Sequence, residues 1–191
     1  MARVKRIMQI TPIDQDNNLF RITDLFSQDL VDKILATDWL SLPWERQPGQ
    51  ESWARRRIKE SALPWNDQWA NEINTAWPQI EEVYGIPIYH YMGTAWWLDE
   101  PGFTCSMHTD GELPGSLQLT WHGTEDSGTT FYWYKDVSTL RYQVPMIPNC
   151  GYMMKNVTDE NGYRKLLWHA MLNPVPKNTF RLNSYIWIML K

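Results

Sequence analysis

From Ile86 onward the chain is a succession of short runs rich in aromatic and β-branched residues, separated by Gly, Pro, Asn and Asp. Runs of this kind form strands, and many in series must stack or close on themselves, because each has a face to bury. The expected strands are 87–98, 103–108, 116–122, 129–135, 139–144, 150–155, 164–172 and 180–190. Seven or eight strands with regular turn signals indicate a sandwich or jelly roll. With the helices expected upstream, the fold class is mainly β with N-terminal helices (α+β).

Residues 1–85 carry a different pattern. Leu19 to Ile22 has the character of a short strand. Ser27 offers an N-cap, and Leu30, Val31, Ile34 and Leu35 follow at helical spacing to an end near Asp38. Pro43, Pro48, Gly49 and Pro64 make 41–64 a long irregular segment with one short strand around Ala54–Ile58. Asn66 is placed to cap a second helix with Trp69, Ile73, Trp77, Ile80 and Tyr84 on one stripe. Pro78 should kink or split that helix, and Gly85 should close it. Both helices would pack on one outer sheet. The 191 residues are expected to form a single domain, with a helical support and loop region over 1–85 and a jelly-roll core over 86–191.

Twelve tryptophans give this fold large flat side chains to bury, so most belong in the core and a minority could line a groove. A net charge of −4 argues against general affinity for nucleic acid, which depends on neutralising phosphates. The basic cluster Arg55-Arg56-Arg57 with Lys59 is too short for a nucleic-acid surface but could hold an anionic substrate. Two cysteines, Cys105 and Cys150, make no disulfide framework and point to a reducing cytoplasm. No apolar run reaches the roughly 18 residues that span a bilayer, and no signal-peptide core follows the N-terminal charges, so no membrane partner is expected.

One constellation carries chemistry. In Ser106-Met107-His108-Thr109-Asp110-Gly111, His108 and Asp110 stand at i and i+2, which in extended chain puts both on one side. His169, in Trp168-His169-Ala170, interrupts an otherwise apolar strand. Alone it would be a buried neutral histidine with one backbone partner; meeting the other two, it completes one face of an octahedral site. Two imidazoles and a carboxylate leave three adjacent positions open, the set suited to non-haem Fe(II) and oxygen. Arg181 opens a strand that continues strongly apolar, and a guanidinium buried there demands a partner. A dicarboxylate ligand would satisfy it with two parallel hydrogen bonds.

His108-Thr109-Asp110, the distal His169 and Arg181 in Arg-Leu-Asn-Ser-Tyr-Ile-Trp resemble the iron- and 2-oxoglutarate-dependent oxygenase superfamily, most of all its prolyl-hydroxylase-like branch. Trp96-Trp97-Leu98-Asp99-Glu100-Pro101-Gly102 and Leu119-Thr120-Trp121 followed by Ser127-Gly128-Thr129-Thr130-Phe131 add to the resemblance. It implies a double-stranded β-helix of the jelly-roll, cupin-like kind. It also implies His108, Asp110 and His169 as iron ligands, and Arg181 as partner of the distal carboxylate of 2-oxoglutarate. Where some branches carry a serine two residues after the arginine, this chain has Asn183, on the same side as Arg181, while Ser184 faces away. Thr120 stands near a position where a tyrosine often helps hold the cosubstrate. The implied reaction consumes O2 and 2-oxoglutarate, releases succinate and CO2 and hydroxylates a substrate, with ascorbate as a possible reductant. Asp110 disfavours a halogenase, in which the carboxylate is missing.

Other assignments compete. His122 could replace one ligand, though it falls where a strand turns into a loop; His90 suits a packed strand position; Lys155 is a second candidate for the cosubstrate carboxylate. The same three ligands could bind zinc and activate water, which leaves Arg181 without a role. A tryptophan-rich module that stacks on sugars would show solvent-facing tryptophans and no metal. The resemblance suggests a peptidyl side chain as substrate; a free amino acid or small metabolite fits the chain length equally. Residues 41–64, with Trp44, Trp53 and the arginines, could form a substrate lid or an ordinary surface loop.

Overall fold

The computed structural model describes residues 8–46, 54–90, 95–110, 113–156 and 167–191. Two helices, α1 (Gln28–Ala36) and α2 (Asn66–Tyr84), accompany twelve strands: β1 (Gln9–Pro12), β2 (Leu19–Thr23), β3 (Arg55–Lys59), β4 (Ile88–His90), β5 (Ala95–Asp99), β6 (Cys105–His108), β7 (Gly115–His122), β8 (Thr130–Tyr132), β9 (Leu140–Gln143), β10 (Cys150–Lys155), β11 (Trp168–Met171) and β12 (Arg181–Leu190). Eight strands form a major sheet ordered β1-β2-β10-β7-β12-β5-β3, with β4 also on β12, and a minor sheet runs β6-β11-β8-β9. Every pairing is antiparallel. The mainly β, two-helix architecture, with two antiparallel sheets, matches the expected fold class.

The outer face of the major sheet is covered by helices. Leu30 and Ile34 of α1 and Trp69, Ile73, Trp77, Ile80 and Tyr84 of α2 bury against Ile22, Leu117, Leu119, Met153, Ile186 and Ile188. Ser27 caps α1 by accepting from the Leu30 amide at 3.3 Å, and its hydroxyl donates to Glu72 on α2 at 2.7 Å, which ties the helices together. Helix α2 continues through Pro78 as one helix, so the proline does not split it. The ring removes one hydrogen bond, but the helix continues because Trp77 and Ile80 on either side are anchored in the core. Asn66 is the first helical residue, not the cap, which is Trp65. Gly85 ends the helix at φ +80, a left-handed conformation that costs glycine nothing.

The tryptophans serve this core. Trp96 stacks on Trp39 at 5.0 Å and on Trp121 at 5.6 Å, with Trp65 edge-on at 5.1 Å. Among the described tryptophans only Trp133 is exposed, which removes the main feature of a sugar-stacking module. Trp44 packs on Trp39, so within 41–64 it belongs to the helical side; Trp53 lies outside the described residues.

Three strands from the first 85 residues join the major sheet, so that segment supplies more than helical support. Strand β1 is an edge strand without an alternating apolar pattern, and it ends at Pro12, which cannot donate to a ladder. The expected 87–98 strand is two strands, β4 and β5, with 91–94 outside the described residues; 164–166 also lie outside them. Glycine is required at Gly151, where a Cβ would come within 1.8 Å of the Gln118 carbonyl on β7. No helix among the described residues is long and apolar enough to cross a membrane.

Candidate metal centre and cosubstrate cavity

Strands β6 and β11 pair so that His108 and His169 lie directly opposite one another, with ring centroids 4.3 Å apart. Asp110, two residues beyond β6's last histidine, turns back onto both: its Oδ1 is 3.4 Å from His169 Nε2 and 3.7 Å from His108 Nε2. One donor atom from each residue lies within 4.8 Å of the others, a spacing that suits a single cation at their centre.

The remaining polar atoms of the three side chains are occupied. Nδ1 of His108 lies 2.7 Å from the Ser106 carbonyl, and Nδ1 of His169 lies 2.9 Å from the Leu167 carbonyl. A carbonyl only accepts, so each Nδ1 carries the proton and each Nε2 lone pair faces the centre when the ring is neutral. The Tyr185 hydroxyl donates to Asp110 Oδ2 at 2.7 Å, which leaves Oδ1 for the cation. Burial alone would raise the Asp110 carboxyl, but His169, Tyr185 and His108 hold it below the usual range. His108 is pushed up to about 9, foremost by its hydrogen bond with Cys105 Sγ, and also by the Ser106 carbonyl and Asp110. With His108 raised beside a carboxylate, the site holds a proton in the absence of a divalent cation and gives it up when one binds.

The triad opens into a cavity of about 220 Å³ between the sheets. Its wall on the major-sheet side follows strand alternation: Asn183, Tyr185 and Trp187 from β12, Gln118 from β7, Tyr152 from β10, Trp97 from β5 and Arg55 from β3. Tyr152 donates to Gln118 Oε1 at 2.9 Å, and burial pushes its phenol up, so it stays a neutral donor. Asn183 is 2% exposed, and neither its amide nitrogen nor its oxygen has a hydrogen-bond partner among the described residues. A buried amide with both ends unpaired costs a few kcal/mol unless a ligand completes it. Ser184 faces the other way, as alternation requires, and accepts from Trp121 Nε1 at 2.9 Å.

Two cosubstrate candidates lie elsewhere. Arg181 is 1% exposed and is absent from the cavity wall, because its partner is internal: Nε and Nη2 donate to Asp99 Oδ2 at 2.7 and 2.5 Å, and Nη1 donates to the Ser127 carbonyl. The sequence argument that a buried guanidinium needs a carboxylate holds, but Asp99 on the neighbouring strand provides it. The Thr120 hydroxyl is turned to the carbonyls of Ile147 and Cys150, at 2.8 and 2.9 Å, and secures the turn into β10. His122 stacks on Phe180, His90 bonds Asn74, and Lys155 lies over Phe20 and Tyr84 on the helical side, so none of these approaches the triad. Arg55 belongs to the basic cluster that the sequence offers to an anionic substrate, and it lines the cavity; Tyr152, Gln118 and Tyr185 were not singled out from the sequence, and the alternation of Asn183, Tyr185 and Trp187 with Leu182, Ile186 and Ile188 carries the signal for β12.

No protein-family model and no curated protein matches the chain. Solved structures do. HygX from Streptomyces hygroscopicus, with nickel and 2-oxoglutarate bound, is similar at 12% identity and a TM-score of 0.63, over 92% of this chain and 84% of that one. The viral collagen prolyl hydroxylase vCPH of Paramecium Bursaria Chlorella virus-1, in a 2-oxoglutarate complex, gives 16% identity and a TM-score of 0.62, over 91% and 97%. A Pseudomonas putida prolyl-4-hydroxylase gives 14% and 0.58, over 91% and 93%. The chain has the double-stranded β-helix fold of the iron- and 2-oxoglutarate-dependent oxygenases.

Proposed function

We propose that the protein is a non-haem Fe(II)- and 2-oxoglutarate-dependent dioxygenase that hydroxylates a side chain presented by a larger molecule. The observation that carries this reading is the convergence of His108, Asp110 and His169, each with its second polar atom already tied, on one point at a cavity wall. Two imidazoles and one carboxylate are the donor set for Fe(II) with open positions. When bound, Fe(II) and 2-oxoglutarate would supply activation of O2, with one oxygen atom passing into succinate as CO2 is released and the other inserted into a substrate C–H bond to give the alcohol.

The chain's own residues hold and enclose that chemistry. The Ser106 and Leu167 carbonyls orient the imidazoles, and Tyr185 orients the carboxylate. The unpaired Asn183 amide gives the oxoacid a partner. Phe131, whose ring lies 5.4 Å from that of His169, together with Met171, Trp97 and Trp187, keeps water from the reacting group. Iron fits the donor set better than hydrolytic zinc because the adjoining cavity holds an unpaired buried amide and a guanidinium, groups that a carboxylate-bearing cosubstrate would satisfy.

At about 220 Å³ the cavity is smaller than the roughly 300–1,000 Å³ of sites that engulf a drug-sized ligand. It suits a compact oxoacid and one reacting group, with the rest of the substrate outside. A peptidyl side chain meets that description, and two of the similar structures are prolyl hydroxylases. Both cysteines are free, as in a reducing compartment, and we assign the protein to the cytoplasm on that basis. Mass spectrometry of a peptide and metabolite panel tests the reading. A gain of one oxygen that requires 2-oxoglutarate and is lost in His108→Ala supports it; binding of neither Fe(II) nor 2-oxoglutarate overturns it.

A further inference from the structure

We infer that the distal carboxylate of the oxoacid is received by Arg55 on β3, with Asp99 and Arg181 acting as its positioning residues. The inference rests on the dioxygenase reading above. Register places Arg55, Asp99 and Arg181 side by side across β3, β5 and β12, on the face of the major sheet that lines the cavity. Asp99 is fully buried and accepts from both guanidiniums: Arg55 Nε reaches Oδ1 at 2.5 Å and Nη2 reaches Oδ2 at 3.1 Å, while Arg181 holds Oδ2. Two cations against one anion leave one positive charge in the sheet interior. A buried charge of that kind is costly until an anion meets it.

The two arginines differ in what remains free. Arg181 is held by Asp99 on one side and by the Ser127 carbonyl on the other, and it does not reach the cavity. Arg55 lines the cavity with its side chain 17% exposed, and its Nη1 has no hydrogen-bond partner among the described residues. Its plane is fixed by Phe103 at 4.3 Å and Trp97 at 5.1 Å. A guanidinium held flat by two rings and pinned on one edge by a carboxylate offers its remaining edge without further loss of rotamer freedom. Asn183 stands one rung along the same face, opposite Trp97, and its unpaired amide supplies a second donor to the same end of the ligand. With the ligand's carboxylate in place, the group of four charges is neutral.

Calorimetric titration of the Mn(II)-loaded protein under nitrogen tests the assignment with two ligands, 2-oxoglutarate and 2-oxopentanoate, which has a methyl in place of the distal carboxylate. The wild type is expected to prefer 2-oxoglutarate by roughly tenfold to a hundredfold, the range of a charge-assisted hydrogen bond. Arg55→Met should reduce that preference to about threefold or less, with the affinity for 2-oxopentanoate unchanged. Should Arg55→Met fail to fold, the double variant Arg55→Met/Asp99→Asn keeps the buried net charge of the wild type and should show the same loss. A variant that keeps the full preference overturns the assignment to Arg55 and leaves the dioxygenase reading standing. A wild type that binds neither oxoacid overturns both.

Discussion

Asp99→Asn tests how the major sheet is held together. The carboxylate is wholly buried and accepts four hydrogen bonds, two from each flanking arginine. An asparagine of the same shape accepts through one oxygen only and leaves two guanidiniums facing each other without a counter-charge. Removing one partner of a buried pair costs about 3–5 kcal/mol. For a chain of this size each kcal/mol moves Tm by about 2–4 °C, so the variant should melt roughly 6–20 °C below the wild type. The effect carries a pH signature. Burial alone would raise the Asp99 carboxyl, but Arg55 and Arg181 outweigh it and hold the group below the usual carboxylate range. A depressed carboxyl contributes stability that is present above its unfolded value, near 3.9, and is lost as pH falls through its folded value. The difference between wild type and variant in urea denaturation should therefore be constant above about pH 5 and shrink below pH 4. A loss under about 1 kcal/mol at pH 7, or a difference that does not narrow in acid, would refute the account of this ladder.

Three further outcomes follow from the site. Tyr185→Phe removes the hydrogen bond that orients Asp110, so metal affinity should fall about tenfold to a hundredfold in a Mn(II) titration while Tm stays within a few degrees. Asn183→Leu replaces a buried amide that has no partner among the described residues; urea denaturation should show it no less stable than the wild type, while 2-oxoglutarate binding weakens about tenfold. Because His108 is pushed up to about 9, the empty site holds a proton at neutral pH that the metal must displace. Affinity for Mn(II) should therefore fall about tenfold per unit as pH is lowered from about 8 to 6, and a flat profile would contradict the assigned partners of His108.

Much of the fold was legible because its strands have local signatures. The aromatic and β-branched runs after Ile86 placed β4 to β12 within a few residues, and Ser27 and Gly85 marked helix ends through capping chemistry that depends on one residue each. Strand β1 was not, because an exposed edge strand has no alternating face. Pro78 does not split α2 because its local cost is outweighed by the burial of Trp77 and Ile80 against sequence-distant strands. The same split applies to the cavity. His108 and Asp110 share a side by strand periodicity, and Asn183 follows Arg181 on one face, so these were readable along the chain. Arg181's engagement with Asp99 depends on β12 pairing with β5, and the entry of Arg55 into the wall on β3 pairing with β5, registers set across more than forty residues.

The central claim is that His108, Asp110 and His169 hold one Fe(II) beside a chelating oxoacid. Anaerobic addition of Fe(II) and 2-oxoglutarate, followed by visible absorption, measures that arrangement directly. A weak charge-transfer band in the wild type that vanishes in His108→Ala and in His169→Ala is the result the structure calls for. No band in the wild type, or a band that survives loss of His169, would contradict it.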